Sequence, residues 1–315
     1  MYLLISNSSN PRFNLATEEY LLKNSRDNII FLYRNDPCIV VGKHQNAMGE
    51  INYRFVYAHG IPVIRRISGG GTVFHDEGNF NFTFLQNGEE GNLVNFRAFI
   101  SPVAKFLNEL GIEAEIGPRN DILIAGLKVS GNAEHIFKKR TLHHGTLLYS
   151  SALANLRNAL HIDPAKYTDR AVKSVRSKVT NIKDNLKKDV TSQQFFDSLA
   201  EYLLNYYQAS PFSLPEDAAS VIHDSSNTKY SDWNWNFGYS PNYLFINSFS
   251  YNYVNYNVEL EVEKGMIMKA RIETSGSQPI VNLTETLKGQ RHCYEDISAT
   301  LSHLNNDADF IWSFF

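Results

Sequence analysis

The stretch RRISGGGTVFHDEGNFNFTF, residues 65–84, decides how the rest of the chain is read. It opens on a pair of arginines, Arg65 and Arg66, and runs into three consecutive glycines, Gly69 to Gly71. Consecutive glycine is costly in backbone entropy. It also lets the main chain approach a ligand closely, with its N–H groups facing an anion. A tight hairpin turn needs one or two glycines and no arginine pair, so a binding loop is the favoured reading. Arg66 is placed to give a bidentate contact to a phosphate or carboxylate. After the glycines, Phe80, Phe82 and Phe84 alternate with Asn79, Asn81 and Thr83. That period of two predicts a strand with one aromatic and one polar face. No Gly-Lys-Ser/Thr follows, so the segment is not a P-loop. Phe74 occupies the place of the third glycine of a dinucleotide fingerprint.

Outward from this segment, strands alternate with helices. Asn14 is expected to cap a first helix running to Lys23. Asn28 to Tyr33, Cys38 to Val41 and Ile61 to Ile64 read as buried strands. Phe96, Phe99, Val103, Phe106 and Leu110 follow helical spacing, with Gly111 as the stop. Ile122 to Ala125 and Leu142 to Tyr149 read as strands, with a turn over Gly126 to Gly131. Thr191 and Gln194 form a capping box ahead of a helix through Tyr207. Residues 208–240, rich in Ser, Pro, Asn and Trp, read as a connector. From Asn242 the pattern is strand, strand, helix, with Val258, Leu260 and Val262 on one face and a Lys264-Gly265 turn. The expected domains are therefore 1–240 and a small α+β unit, 241–315.

The chain has 315 residues, room for about two domains. With 43% hydrophobic residues it can bury a sizeable core. A net charge of −3 argues against a general nucleic-acid binder, while leaving room for a local cationic pocket. Two cysteines, Cys38 and Cys293, are too few for a disulfide framework or a cysteine zinc site and fit a reducing compartment. The N-terminus lacks a basic region and a long apolar run, and no apolar stretch approaches 18 residues. A cytoplasmic, non-membrane protein is expected, with a monomer as the default.

Three further segments carry candidate chemistry. Arg119, Asn120 and Asp121 precede Lys128, which stands between Gly126 and Gly131 in an apolar region. Lone lysines are ordinarily solvated; one flanked by glycines on a strand can sit in a cleft and meet an anion. His143 and His144 are adjacent on a strand, point to opposite faces and cannot share one site. No zinc helix motif accompanies them. Residues 173–181, KSVRSKVTN, read either as a solvated basic loop or as a cationic flap over a phosphate. No G-x-S-x-G elbow occurs.

Together these segments resemble the lipoate–protein ligase A family. The resemblance rests on residues 65–84, RNDILIAGLKVSGNA at 119–133, HHGTLL at 143–148, SVRSKVTN at 174–181, WNWNFG at 233–238, NLATEEYLL near the start and RND at 34–36. It covers nearly the whole chain in the family's order. It implies an α+β (α/β-type) fold, with a large biotin ligase-like catalytic domain of mixed sheets and flanking helices and a small C-terminal α+β domain. It also implies a two-step reaction. Lipoate and ATP, with Mg2+, give lipoyl-AMP and pyrophosphate. A lysine of a lipoyl domain, in a 2-oxoacid dehydrogenase E2 subunit or the glycine cleavage H protein, then takes the acyl group.

By resemblance, Lys128 is catalytic and touches both lipoate and ATP. Arg66, Gly71, Thr72, Val73 and Phe74 would contact the nucleotide. Ser68, Gly69, Gly70, His75 and Asn79 would surround lipoate. Asn120, Asp121, His144, Gly145, Ser174 and Arg176 would support the site, with Asp121 as the metal ligand. The chemistry is physically coherent: joining a carboxylate to an α-phosphate brings two anions together, and cations relieve the repulsion. The rivals are a cysteine-dependent octanoyl or lipoyl transferase of the same fold and a non-catalytic lipoate-binding protein. Against the first, no cysteine occurs between Ile39 and His292, and Cys38 falls in an expected buried strand. A biotin ligase would carry a Gly-Arg-Gly-Arg-Arg-Gly pattern that is missing here.

Overall fold

The computed structural model describes residues 1–88, 93–275, 281–302 and 307–315. The expected aromatic strand is Asn79–Asn87, and it lies inside a six-stranded mixed sheet. Across that sheet the order is Asn132–Phe137, Arg140–Leu148, Asn79–Asn87, Ile29–Arg34, Tyr2–Ile5 and Ser210–Pro211. Its pairs are antiparallel on the first side and parallel around Tyr2–Ile5. Phe80, Phe82 and Phe84 pack into one core with the helices Phe96–Glu109 and Ser192–Tyr207. The second helix starts with the expected capping box, in which Thr191 and Gln194 satisfy each other's backbone N–H.

The polar face of the same strand is buried as well: Asn79, Asn81 and Thr83 are all nearly inaccessible. The helix Pro11–Asn24 covers that face, and Thr83 Oγ1 donates to Glu18. A polar, buried sheet face needs polar partners, and here they come from that helix and from the cavity described below. The helix is capped by Asn10, not Asn14: Asn10 Oδ1 accepts from Arg12 N at 2.9 Å, and Pro11 starts the first turn. Asn14 is a buried mid-helix residue whose amide donates to Ser8 O and Arg34 O, fastening the helix to the neighbouring strand end.

Two three-stranded sheets flank the large one. Val63–Arg65, Cys38–Val41 and Val73–His75 carry the glycine segment; Ala114–Ile116, Ile122–Ile124 and Leu127–Ser130 carry Lys128. The expected turn over 126–131 is shorter than the sequence suggested. Ala125 and Gly126, both at positive φ, make the hairpin, and Leu127–Ser130 is a strand. The segment 208–240 is not a bare connector either. It forms the helix Glu216–Thr228 and the single π-turn Asn234–Gly238. That turn holds Arg65, a fully buried guanidinium that donates to the Trp235 and Asn236 carbonyls and to Ser240 Oγ. Such contacts are long-range and leave no periodic trace in the sequence.

The C-terminal part is a smaller α+β region. Its four-stranded sheet runs Tyr167–Asp169, Tyr243–Tyr251, Val254–Glu263 and Met266–Thr274, so its edge strand comes from well before residue 240. Val258, Leu260 and Val262 face its core as expected. No helix among the described residues is long and apolar enough to cross a membrane.

Candidate active site

The glycine segment owes its shape to Arg66. Its guanidinium is buried and donates to Val40 O, Ser68 Oγ, Gly69 O and Gly71 O, the last two at 2.6 and 2.7 Å. Four of its five N–H groups are therefore engaged inside the protein. In a trans peptide the C=O and the following N–H point in opposite directions. Pulling the Gly69 and Gly71 carbonyls toward Arg66 thus turns the N–H groups of Gly70 and Thr72 the other way. Gly70 sits at φ +88, a left-handed conformation open to glycine. Its carbonyl oxygen packs so closely on Gly42 that a Cβ there would collide with it.

Two cavities meet beside this loop. The inner one, about 340 Å³, is walled by buried strands and by Leu15, Tyr33, Val40, Arg66, Gly70, Gly71, His75, Asn81, Ala133, His144 and Gly145. The outer one, about 640 Å³, is walled by Glu50, Phe74, Leu148, Leu156, Leu160, Ile162, Tyr167 and Arg176. Thr72, Val73, Lys128, Gly131, Thr146, Lys173, Ser174 and Val175 line both.

Lys128 stands at that junction. Its strand is zipped to the basic loop: Lys128 N donates to Lys178 O at 2.9 Å and Thr180 N donates to Lys128 O at 3.1 Å. A Cβ on Gly131 would lie 3.1 Å from Lys128 Nζ, so the bare glycine backbone makes room for the amine. Burial lowers the Lys128 pKa below that of an ordinary lysine, with Asp121 pulling it up and Arg119 pushing it further down. Among the described residues, no carboxylate lies within ion-pair distance of this amine.

The near end of the basic loop is pinned by Ser174. Its hydroxyl accepts from Thr72 N at 2.8 Å and from Gln45 Nε2 at 3.0 Å, and its N–H donates to Glu50 Oε1 at 3.2 Å. Gln45 also accepts from Gly42 N and from Thr72 Oγ1. Burial raises the Glu50 carboxyl pKa, partly offset by Ser174.

His75 offers the inner cavity an open donor. Asn14 donates to Asn35 Oδ1, which fixes Asn35 Nδ2 as the donor to His75 Nδ1 at 2.9 Å. The His75 proton then sits on Nε2, which is buried without a protein partner among the described residues. Burial, with Arg66 and His144 nearby, holds the His75 pKa at about 3, so the ring is neutral.

Of the residues singled out from the sequence, Lys128, Arg66, Gly70, Gly71, Thr72, Val73, Phe74, His75, His144, Gly145, Ser174 and Arg176 come together on the cavity walls. Ser68, Gly69, Asn79, Asn120 and Asp121 do not line either cavity. Asn120 instead offers its carbonyl to Asn132. Asp121 has one buried oxygen without a partner, yet no group of three ligand-type side chains surrounds it among the described residues. His143 and His144 point to opposite faces as expected: His143 bonds Glu134 and stacks on Phe99, while His144 faces the inner cavity. Sequence reasoning missed Gln45 and Glu50, whose segment carries no composition signal. It also assigned no role to Glu18, although that residue lies in NLATEEYLL.

Chemically, the arrangement offers a smaller chamber of mixed lining, with Leu15, Val40 and Ala133 beside Arg66, His75 and His144, and a larger chamber rimmed by Lys173 and Arg176. An amine stands where two anionic groups would meet. The profile of the lipoyl protein ligase A/B catalytic domain matches residues 10–204. The chain is 36% identical over 301 residues to lipoate–protein ligase 1 of Staphylococcus aureus, covering 94% of this chain and 92% of that protein. Its structure resembles that of P. falciparum LipL1 in complex with lipoate (TM-score 0.65, 26% identity, 98% of this chain and 96% of that one). It also resembles a lipoate–protein ligase A bound with ATP (TM-score 0.65, 25% identity, 76% of this chain and 98% of that one).

Proposed function

This chain belongs to the lipoate–protein ligase A family, and on that footing we propose that it activates free lipoate with ATP and transfers it to a lysine of an acceptor protein. Lipoate enters the inner chamber, tail first, against Leu15, Val40 and Ala133. Burying its roughly four methylenes at about 0.8 kcal/mol each supplies a few kcal/mol of affinity. ATP takes the outer chamber, with its α-phosphate at the junction. Similar structures, one in complex with lipoate and one bound with ATP, support binding of both compounds.

A lipoate carboxylate oxygen attacks the α-phosphorus, the bond to the bridging oxygen breaks, and pyrophosphate leaves. Lys128 faces both anions and neutralises them as they close. The Gly70 N–H, turned away from Arg66, faces the acyl-phosphate. Arg66 shapes the loop through its carbonyl contacts rather than by a bidentate grip on phosphate. In the second step the acceptor amine attacks the lipoyl carbonyl. An amide forms, AMP leaves, and the amine gives a proton to solvent. Lys173, Ser174 and Val175, which line both chambers, shield the mixed anhydride from water.

Among the described residues no group of three ligand-type side chains could hold a metal, and Asp121 lines neither cavity. Magnesium would be carried by the phosphate oxygens of ATP. The acceptors proposed are lipoyl domains of E2 subunits or the glycine cleavage H protein, and the region 241–315 is proposed as an accessory domain to the catalytic part. A cytoplasmic location suits an enzyme that consumes ATP.

The observation that carries this reading is the lysine without a carboxylate partner at the junction of two cavities. A cysteine-dependent transferase fits poorly, because both cysteines are buried. Burial pushes the Cys293 thiol up to about 12 and the Cys38 thiol higher still. The test is pyrophosphate release from MgATP, with and without lipoate, followed by the mass of a lipoyl domain added as acceptor. Lipoate-dependent release and a lipoyl mass gain are expected. No release with lipoate present would leave a transferase or a binding protein.

A further inference from the structure

Behind the glycine loop, along one wall of the inner cavity, a chain of buried polar groups ends on Arg66. Glu18 is about 1% exposed and accepts from Tyr33 OH at 3.0 Å and from Thr83. His144 Nδ1 lies 3.1 Å from both Glu18 oxygens. A carboxylate can only accept, so Nδ1 carries the proton. The ring's Nε2 is hydrogen-bonded to the Ser68 hydroxyl, 2.7 Å away. Ser68 Oγ in turn accepts from Arg66 Nε at 2.9 Å. Arg66 holds the Gly69 and Gly71 carbonyls.

The order of partners matters. Arg66 is a buried cation whose direct contacts are all neutral, and Glu18 is the nearby carboxylate that favours its charge. The serine resembles the nucleophile of a Ser-His-Glu triad only in its spacing. Ser68 is fully buried and lines neither cavity, so it cannot reach a substrate.

The geometry points to Glu18, His144 and Ser68 as positioning residues that hold the Arg66 clamp and so keep the Gly70 and Thr72 N–H groups turned toward the cavity junction. Glu18 orients the imidazole, the imidazole fixes the serine hydroxyl, and the serine presents its lone pair to Arg66. Without any one link, Arg66 can swing, the two glycine carbonyls are released, and the loop peptides are free to flip. The Gly70 N–H would then no longer face the forming anhydride. Lipoate would still enter, because Leu15, Val40 and Ala133, against which its tail is proposed to lie, belong to other elements. This inference rests on the ligase reading for its kinetic arm and on the fold alone for its structural arm.

The full-length variants Ser68→Ala and Glu18→Gln test it, each checked by thermal melting. Pyrophosphate release with MgATP and lipoate should show kcat lowered about 100-fold, as for displacement of a transition-state group by an ångström. KM for lipoate should stay within threefold. Amide hydrogen exchange should quicken over residues 66–75 and remain as in wild type over 11–24, the helix that carries Glu18. A purely structural role for Glu18 would instead loosen that helix. Full kcat with unchanged exchange over 66–75 in either variant overturns the proposal, as does lost activity with exchange raised only in 11–24. If Glu18→Gln fails to fold, Ser68→Ala still decides, because the serine lies in the loop itself. If wild type releases no pyrophosphate with lipoate, the ligase reading fails, while the exchange arm still judges the relay.

Discussion

Replacing Lys128 by methionine keeps the methylene stem and removes the charge. The amine rests over Gly131, within 3.1 Å of where a Cβ would be, and no carboxylate among the described residues neutralises it. A unit charge about 4 Å away at an effective dielectric of about 20 interacts with roughly 4 kcal/mol. Part of that attraction is already present when lipoate and ATP are bound, and only the increase as they close lowers the barrier. Removing a donor that acts in the transition state typically costs about 3–4 kcal/mol, or roughly 100- to 1,000-fold in rate. Lys128→Met should therefore lower lipoate-dependent pyrophosphate release by two to three orders of magnitude. The melting temperature should move little, since the stem still fills its place. The acidity of the amine adds a second readout. Burial lowers the Lys128 pKa, and the charged form is the working one. Hence kcat/KM, which reports the free enzyme, should fall as pH rises through that depressed value, earlier than for an ordinary lysine. Pyrophosphate release from Lys128→Met within tenfold of wild type would refute the assigned role.

Four further outcomes are expected. The double variant Cys38→Ala and Cys293→Ala should keep ligation within about threefold, at a stability cost of roughly 1–2 kcal/mol per buried side chain; loss of activity in the folded variant would revive a thiol mechanism. Gly42→Ala drives a methyl into the Gly70 carbonyl and should cost about 1–3 kcal/mol in urea unfolding; an unchanged midpoint would contradict the packing. Phe82→Ala should cost about 3–5 kcal/mol, read by the same titration, because its ring is inaccessible within the main core. His75 and His292 are held near 3 and 4 by burial. The unfolded chain, with histidine near pKa 6.5, binds more protons than the folded one below that pH, so stability falls as pH drops from about 6.5 toward 4. At pH 5 the loss is about 2 kcal/mol for each ring; a urea midpoint flat from pH 7.5 to 5 would show that these rings do not resist protonation.

What the sequence disclosed and what it hid divide along the range of the interactions. The alternation in Asn79–Asn87 and Val254–Glu263 and the Thr191–Gln194 box are local patterns, fixed by pleat and cap geometry, and the fold keeps them. Asn10 and Asn14 both stand near the helix start, and what separates them is that Asn10 accepts from Arg12 N while Asn14, inside the helix, bonds Ser8 O and Arg34 O. The helix Glu216–Thr228 has few apolar positions, and it is tied to the first helix by Lys229 and Tyr230, which both donate to Glu19. No window of sequence contains that pairing. The same limit explains the site. Lys128 stood out because glycines flank it, and among the described residues no carboxylate pairs with it. Arg66 was read as an anion ligand, since an arginine beside glycines invites that reading. Its donors instead face inward, onto carbonyls of the loop it supports. A guanidinium bonded to the loop's carbonyls sets the direction of its peptide dipoles. On the proposed relay, the loop's ability to receive an anion depends on Glu18, 51 positions before Gly69, whose place in NLATEEYLL does not by itself show the pairing with His144.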